Sequence, residues 1–178
     1  MSQTMDANLD LTPFIRDVPD FPKPGILFKD ITPLLKEPAA FRQVIQALAD
    51  RYRDRGIQKI VGIESRGFVF AAALAYELGA GMVPVRKVGK LPAKCLREDY
   101  ELEYGTAAVE IHEDAIAKGE RVLLVDDLIA TGGTLAAACR LIKALGGELV
   151  EIATIIELSF LPGREKIKGL PFYSMVQF

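Results

Sequence analysis

The stretch Val122-Leu-Leu-Val-Asp126-Asp127-Leu-Ile-Ala130-Thr131-Gly132-Gly133-Thr134 joins an unbroken apolar run to two adjacent carboxylates and a glycine–threonine turn. A Val/Leu run bounded by charge has the pattern of a strand buried on both faces, as in a parallel sheet. Residues 121–126 are read as that strand. Residues 134–145, rich in Ala and Leu and closed by Gly146-Gly147, are read as the helix that follows. Asp126 and Asp127 are then expected at the C-terminal edge of the strand, where open α/β sheets place their ligands. The turn after them can hold an anion. Its glycines let backbone N–H groups converge, Thr131 and Thr134 add hydroxyl donors, and the helix dipole favours negative charge. The pattern G-x-x-x-x-G-K-[ST] is missing, so this is no triphosphatase P-loop. Two acids beside an anion cradle suit a phosphorylated sugar whose vicinal hydroxyls are bonded by Asp126 and Asp127. The plainer reading, a turn capped by Thr131, leaves two carboxylates at a buried edge without a reason.

Outward from this stretch, the chain alternates. Residues 59–63 form a short β-branched run, followed by Ser65-Arg66-Gly67 and an apolar helix to Leu78, stopped at Gly79. Residues 82–85 and 149–156 again read as strands. Upstream, Pro38 suits the first turn of a helix. Phe41, Val44, Ile45, Leu48, Ala49 and Tyr52 then recur at helical spacing, with Gly56 past the end. Strands alternating with helices predict a doubly wound α/β fold, a central parallel sheet flanked by helices. A short helix is expected near residues 14–16, and residues 19–24, rich in proline, read as an extended arm. Residues 86–105 carry many charges and no core face, and a loop of that length in a compact domain suggests a lid.

With 178 residues the chain is expected to be a single domain. Half the residues are hydrophobic and 26% are charged, which excludes disordered and fibrous classes. A net charge of −2 disfavours a nucleic-acid partner. Two cysteines, Cys95 and Cys139, and a single histidine, His112, supply neither a disulfide framework nor a Cys/His zinc site. Cys139 is expected to pack in a helix, Cys95 to lie in the lid and His112 at the surface. Residues 1–10 have no apolar core, so no signal peptide is expected. The longest apolar run, residues 68–76, falls short of the roughly 20 residues of a membrane span. A soluble, cytoplasmic protein with no membrane partner is therefore expected.

The residues 125–134 resemble the phosphoribosyl-pyrophosphate (PRPP) motif of the type I phosphoribosyltransferases. Five further segments resemble landmarks of that family in the same order, and in particular of its members acting on adenine. They are Asp20-Phe-Pro-Lys-Pro-Gly-Ile-Leu-Phe28-Lys29-Asp30-Ile, Glu64-Ser65-Arg66-Gly-Phe, Arg86-Lys87-Val-Gly-Lys90-Leu-Pro, Leu102-Glu103-Tyr104-Gly105 and Gly163-Arg-Glu-Lys166. The resemblance implies the type I phosphoribosyltransferase fold, with a small hood (about residues 1–35 plus the C-terminal segment) and a long flexible lid loop over residues 86–105. It implies purine salvage, in which adenine and PRPP give AMP and pyrophosphate with Mg²⁺. The ion is brought by PRPP rather than by direct protein ligands. A homodimer is implied as well.

Residue by residue, the resemblance places Asp126, Asp127, Ala130, Thr131, Gly132, Gly133 and Thr134 on the ribose and its 5′-phosphate. Ser65, Arg66, Arg86, Lys87 and Lys90 fall on the pyrophosphate, and a cis peptide is expected at Glu64–Ser65. Arg66, in a turn that opens an apolar helix, is suited on its own chemistry to clamp a departing anion. Closing the lid would keep water from an oxocarbenium-like sugar. Glu103 matches the family's general acid/base; Glu98, Asp99 and Glu101 are equally acidic, so residue type alone leaves that choice open. The carbonyl of Leu27 and the N–H of Lys29 are implied to read N6 and N1 of adenine, with Phe28 stacked on the ring. By residue type alone, Phe28 suits a core equally well. A backbone carbonyl facing N6 would repel the O6 of hypoxanthine or guanine. Lys29 stands where arginine is frequent, and Val88 interrupts the basic lid tip.

Two alternatives remain. An enzyme for 6-oxopurines would be expected to carry a lysine after the strand that follows the PRPP motif; residues 155–160 have none before Lys166. A PRPP-sensing regulator would need a DNA-binding module, for which there is neither spare length nor a basic patch.

Overall fold

A computed structural model describes residues 10–101 and 105–178, in two compact units that meet between Ala47 and Leu48. In the first unit a 3₁₀ turn, Thr12–Phe14, leads into strand β1 (Arg16–Pro19), which pairs antiparallel with β2 (Leu27–Asp30). The helix expected near residues 14–16 is thus corrected. The helical turn ends at Phe14, and Arg16 already belongs to a ladder, where its guanidinium meets Asp30 across the strands at 2.6 Å. The proline-rich stretch is the connection of this hairpin rather than an extended arm. It contains the cis Phe21–Pro22 bond, and the Asp20 carboxylate accepts the N–H of Gly25 at 2.7 Å. Helix α1 (Thr32–Lys36) follows, and α2 (Pro38–Tyr52) starts at the expected proline and runs across the boundary between the units. Of its helically spaced apolar residues, all but Phe41 are buried.

The second unit contains β3 (Lys59–Ile63), α3 (Arg66–Leu78), β4 (Gly81–Lys87), β5 (Cys95–Glu101), β6 (Thr106–His112), β7 (Arg121–Ile129), α4 (Gly133–Ala144), β8 (Glu148–Glu157), α5 (Gly163–Lys166) and β9 (Phe172–Gln177). They build one sheet in the order β5-β6-β4-β3-β7-β8-β9. The strands β4, β3, β7, β8 and β9 run parallel, and β6 and β5 add an antiparallel edge. Its two faces pack differently. Gly62 of β3 lies so close to α3 that a Cβ there would stand 2.6 Å from the Cβ of Ala71. On the opposite face Val61, Ile63, Val122 and Leu124 join Leu135, Ala138 and Ile142 of α4 in one apolar cluster.

The chain leaves β3 towards β4 and leaves β7 towards β8, although β3 and β7 are neighbours. That divergence opens a crevice beyond their C-terminal ends, the usual ligand position in a doubly wound sheet. The C-terminal segment, expected in a hood, contributes β9 to the edge of this sheet. Part of the expected lid loop is a strand. Residues 95–101 pair along their whole length with β6, from Cys95 opposite His112 to Glu101 opposite Thr106. No helix among the described residues is long and apolar enough to cross a membrane.

Candidate functional site

The two central strands end side by side, and each feeds a turn that opens a helix. After Ile63 comes Glu64–Ser65, whose peptide bond is cis as expected, and then Arg66 at the head of α3. After Ile129 comes Ala130–Gly132, then α4, with Gly132 as its N-cap at φ 77°, a left-handed conformation suited to glycine. The first N–H groups of α4 have no partner within the helix and point out of its N-terminus. Between the two turns lies a cavity of about 430 Å³.

Of the expected site residues, Ser65, Arg66, Lys87, Asp126, Asp127, Ala130, Thr131, Gly132, Gly133 and Thr134 line this cavity together. Arg86 and Lys90 are not among its lining residues. The Arg86 guanidinium is occupied by Glu64, with Nε at 3.2 Å and Nη2 at 3.1 Å from the two carboxylate oxygens, while Nη1 donates to the Lys90 carbonyl at 3.2 Å. Glu64 also accepts the backbone N–H of Lys87 at 3.0 Å. Arg86, working against desolvation and helped by the Lys87 N–H, holds the Glu64 carboxyl below its ordinary value. One carboxylate thus ties the end of β4 to the cis turn.

The paired acids were expected at the end of β7, but they sit inside its ladder. Leu128 and Ile129 continue to pair with Ile156 and Glu157, so the strand ends three residues later than its charge pattern suggests. The Asp127 side chain is buried and bonded to Nε of Arg66. Asp126 accepts the backbone N–H of Asp127 at 2.9 Å, and its carboxyl backs onto Gly67, where a Cβ would stand 2.7 Å away. Burial, and next the charge of Asp127, pushes the Asp126 carboxyl well above the ordinary range. A neutral carboxyl can donate a hydrogen bond to a hydroxyl as well as accept one.

Sequence reasoning missed Glu64 as a side chain with work to do, and it missed Tyr100. The Tyr100 ring lines the cavity from β5 and lies against Gly133, where a Cβ would meet its Cδ2 at 3.0 Å. Glu64 was legible only as part of a motif. Tyr100 carried no signal, because the segment around it read as loop.

Leu27, Phe28 and Lys29 all lie on β2 of the first unit. Leu27 and Lys29 are two apart on a strand, so the carbonyl of one and the N–H of the other point to the same side of the ladder. Phe28 is partly buried, edge-on to Phe21 at 5.1 Å between ring centroids. The Lys29 ammonium is buried and paired with Asp17 at 2.6 Å. Glu103 lies outside the described residues. Cys139 is buried as expected, Cys95 is partly buried at the start of β5, and Nε2 of His112 accepts the N–H of Ala93 at 3.3 Å.

Comparison with known proteins agrees with this geometry. The phosphoribosyl transferase domain model matches residues 30–168. The adenine phosphoribosyltransferase of Solibacter usitatus is 57% identical over 169 residues, covering 95% of this chain and 98% of that protein. The one from Roseiflexus sp. is 56% identical with the same coverage. Among solved structures, adenine phosphoribosyltransferase from Rhodothermus marinus is 51% identical with a TM-score of 0.92, over 96% of this chain and 98% of that one. The Saccharomyces cerevisiae enzyme, complexed with an imino-altritol bisphosphate and adenine, is 43% identical with a TM-score of 0.89, over 95% and 98%.

Proposed function

This chain belongs to the adenine phosphoribosyltransferases, and from that premise we propose how its residues divide the transfer of the 5-phosphoribosyl group from PRPP to adenine. The enzyme makes AMP and pyrophosphate and serves purine salvage. The observation that carries the assignment of roles is the pairing of two anion-ready turns, 64–66 and 130–134, across one cavity with Asp126 and Asp127 between them. PRPP has the matching layout: a 5′-phosphate, a ribose with two hydroxyls, and a diphosphate.

The 5′-phosphate sits on the N-terminus of α4, taking backbone N–H groups of residues 131–134 and the hydroxyls of Thr131 and Thr134. Asp126 and Asp127 hold the ribose hydroxyls. Ser65, Arg66 and Lys87 take the diphosphate and stabilise the charge that grows on it as the C1–O bond breaks. Arg86 and Lys90 join them once Arg86 exchanges Glu64 for a phosphate oxygen. Because Arg66 rests on Asp127, the cavity enters the reaction with cation and carboxylate already neutralising one another. Leu27 and Lys29 read N6 and N1 of adenine through their backbone, Phe28 stacks on the ring, and Glu103 moves the proton at the imidazole side of the base.

Mg²⁺ is proposed to come with PRPP. Most of its ligands would then be oxygens of PRPP and water, an arrangement Mg²⁺ favours. When bound, it neutralises charge on the leaving pyrophosphate.

A homodimer is supported by the outer face of α3. Val69, Ala72, Ala73 and Tyr76 recur at helical spacing there, and Tyr76 is 89% exposed.

Asp127→Asn tests the assignment of roles. It should weaken PRPP binding, measured by calorimetry with Mg²⁺, by about tenfold or more, the scale of a hydrogen bond to a charged group. Unchanged binding by a folded variant would remove the acids from the ribose.

A further inference from the structure

We propose that Glu157 and Arg164 are positioning residues for the phosphate loop, acting through Gly163, which they hold against Ala130 and Gly132. The inference rests on the reading above that residues 130–134 bind the 5′-phosphate.

Glu157 ends β8 opposite Ile129 in the ladder, and the next N–H, of Leu158, donates to the Ile129 carbonyl at 3.1 Å. Glu157 is therefore fixed beside the residue that enters the loop. Its buried carboxylate takes four donors: Arg164 Nε at 2.6 Å, Arg164 Nη2 at 2.8 Å, Ser174 Oγ at 2.8 Å and Gln177 Nε2 at 3.1 Å. The Arg164 guanidinium also stacks on Phe172, 4.4 Å from the ring centroid. A two-pronged arginine–carboxylate contact fixes direction as well as distance. Here it fixes the course of the chain at Arg164, and so of its neighbour Gly163.

Gly163 meets the loop backbone to backbone. A Cβ on Gly163 would lie 2.3 Å from the Ala130 carbonyl oxygen, and a Cβ on Gly132 would lie 2.3 Å from the Gly163 carbonyl oxygen. Helix α5 has four residues, too few to hold itself in place. The ion pair supplies that hold, and a loop poor in side chains gains a rigid back wall.

The same strand contains a built-in comparison. Glu151, also buried, is bonded by Arg51 at 2.9 and 3.1 Å and by the Tyr52 hydroxyl at 2.7 Å. It is an ion pair of the same kind, a buried carboxylate held by a partly exposed arginine, tied to the end of α2 instead of to α5.

The experiment measures KM for PRPP, KM for adenine, kcat and Tm for Arg164→Gln, Glu157→Gln, Glu151→Gln and Thr134→Ala. Arg164→Gln and Glu157→Gln should raise KM for PRPP about tenfold with kcat little changed, the cost of a displaced binding group. Glu151→Gln should lower Tm and leave KM for PRPP at the wild-type value. Arg164 is half-exposed, so its variant carries the test if Glu157→Gln does not fold. A folded Arg164→Gln with wild-type KM for PRPP overturns the proposal, as does an equal rise in Glu151→Gln. If Thr134→Ala raises that KM and Arg164→Gln does not, the proposal alone fails. If neither raises it, the phosphate-loop reading fails with it.

Discussion

On the proposed division of roles, Asp127 faces two partners in turn: Arg66 before substrate binds and a ribose hydroxyl afterwards. A carboxylate already desolvated and paired loses little more when sugar replaces solvent around it, which is how preorganised sites lower the cost of binding. Asp126 is pushed towards the neutral form, by burial first and by Asp127 next. The task proposed for Glu103 is separate, acting on the base and not on PRPP. Glu103→Gln should therefore lower kcat by about 10²–10⁴-fold, the usual worth of a placed acid or base, with KM for PRPP near wild type. An unchanged kcat would end that assignment.

At the scale of elements, the central strands and their helices were legible because apolar runs and glycine stops are local signals. Residues 59–63 and the end of α3 at Gly79 fall where the pattern put them. Strand β5 was not legible. Its sequence alternates in exposure, but one of its less exposed positions is Glu98, whose carboxylate is bonded by Arg140 of α4. A charge satisfied by a partner 42 residues away looks like loop chemistry until both are seen. The hairpin β1–β2 was hidden likewise, since its four residue pairs include Arg16–Asp30 and Asp17–Lys29 rather than alternating apolar residues. The loop and its acids were legible from spacing and chemistry; Glu64, Tyr100 and the Gly163 contact were not, because they depend on which elements become neighbours. Strand β8 also sets a pH dependence. Arg164 holds Glu157 below the ordinary 4.5 against burial, and at Glu151 burial is outweighed by the hydrogen bonds of Arg51 and Tyr52. Lowered folded-state values mean that their contribution to stability is full above 4.5 and is lost as pH falls through those lower values. Tm should fall across that acid window, and less steeply in Glu157→Gln than in the wild type. An identical pH profile for the variant would show that Glu157 does not contribute.

At the scale of the whole molecule, the apolar stripe of α3 lies on the helix that also carries Arg66, so the proposed dimer would link assembly to the site. Tyr76→Lys should convert a dimer to a monomer in sedimentation velocity, and a dimer that persists would place the interface elsewhere. The central claim, however, concerns chemistry: PRPP is held by the two turns and offered to a base read through the Leu27 carbonyl and the Lys29 N–H. The most direct test is nucleotide formation from PRPP and Mg²⁺ with adenine, hypoxanthine and guanine supplied in separate reactions. The account predicts AMP from adenine and no turnover of the two 6-oxopurines. Comparable turnover of hypoxanthine or guanine would contradict the backbone reading of the base, and PRPP binding without turnover of any base would contradict the assignment as a transferase.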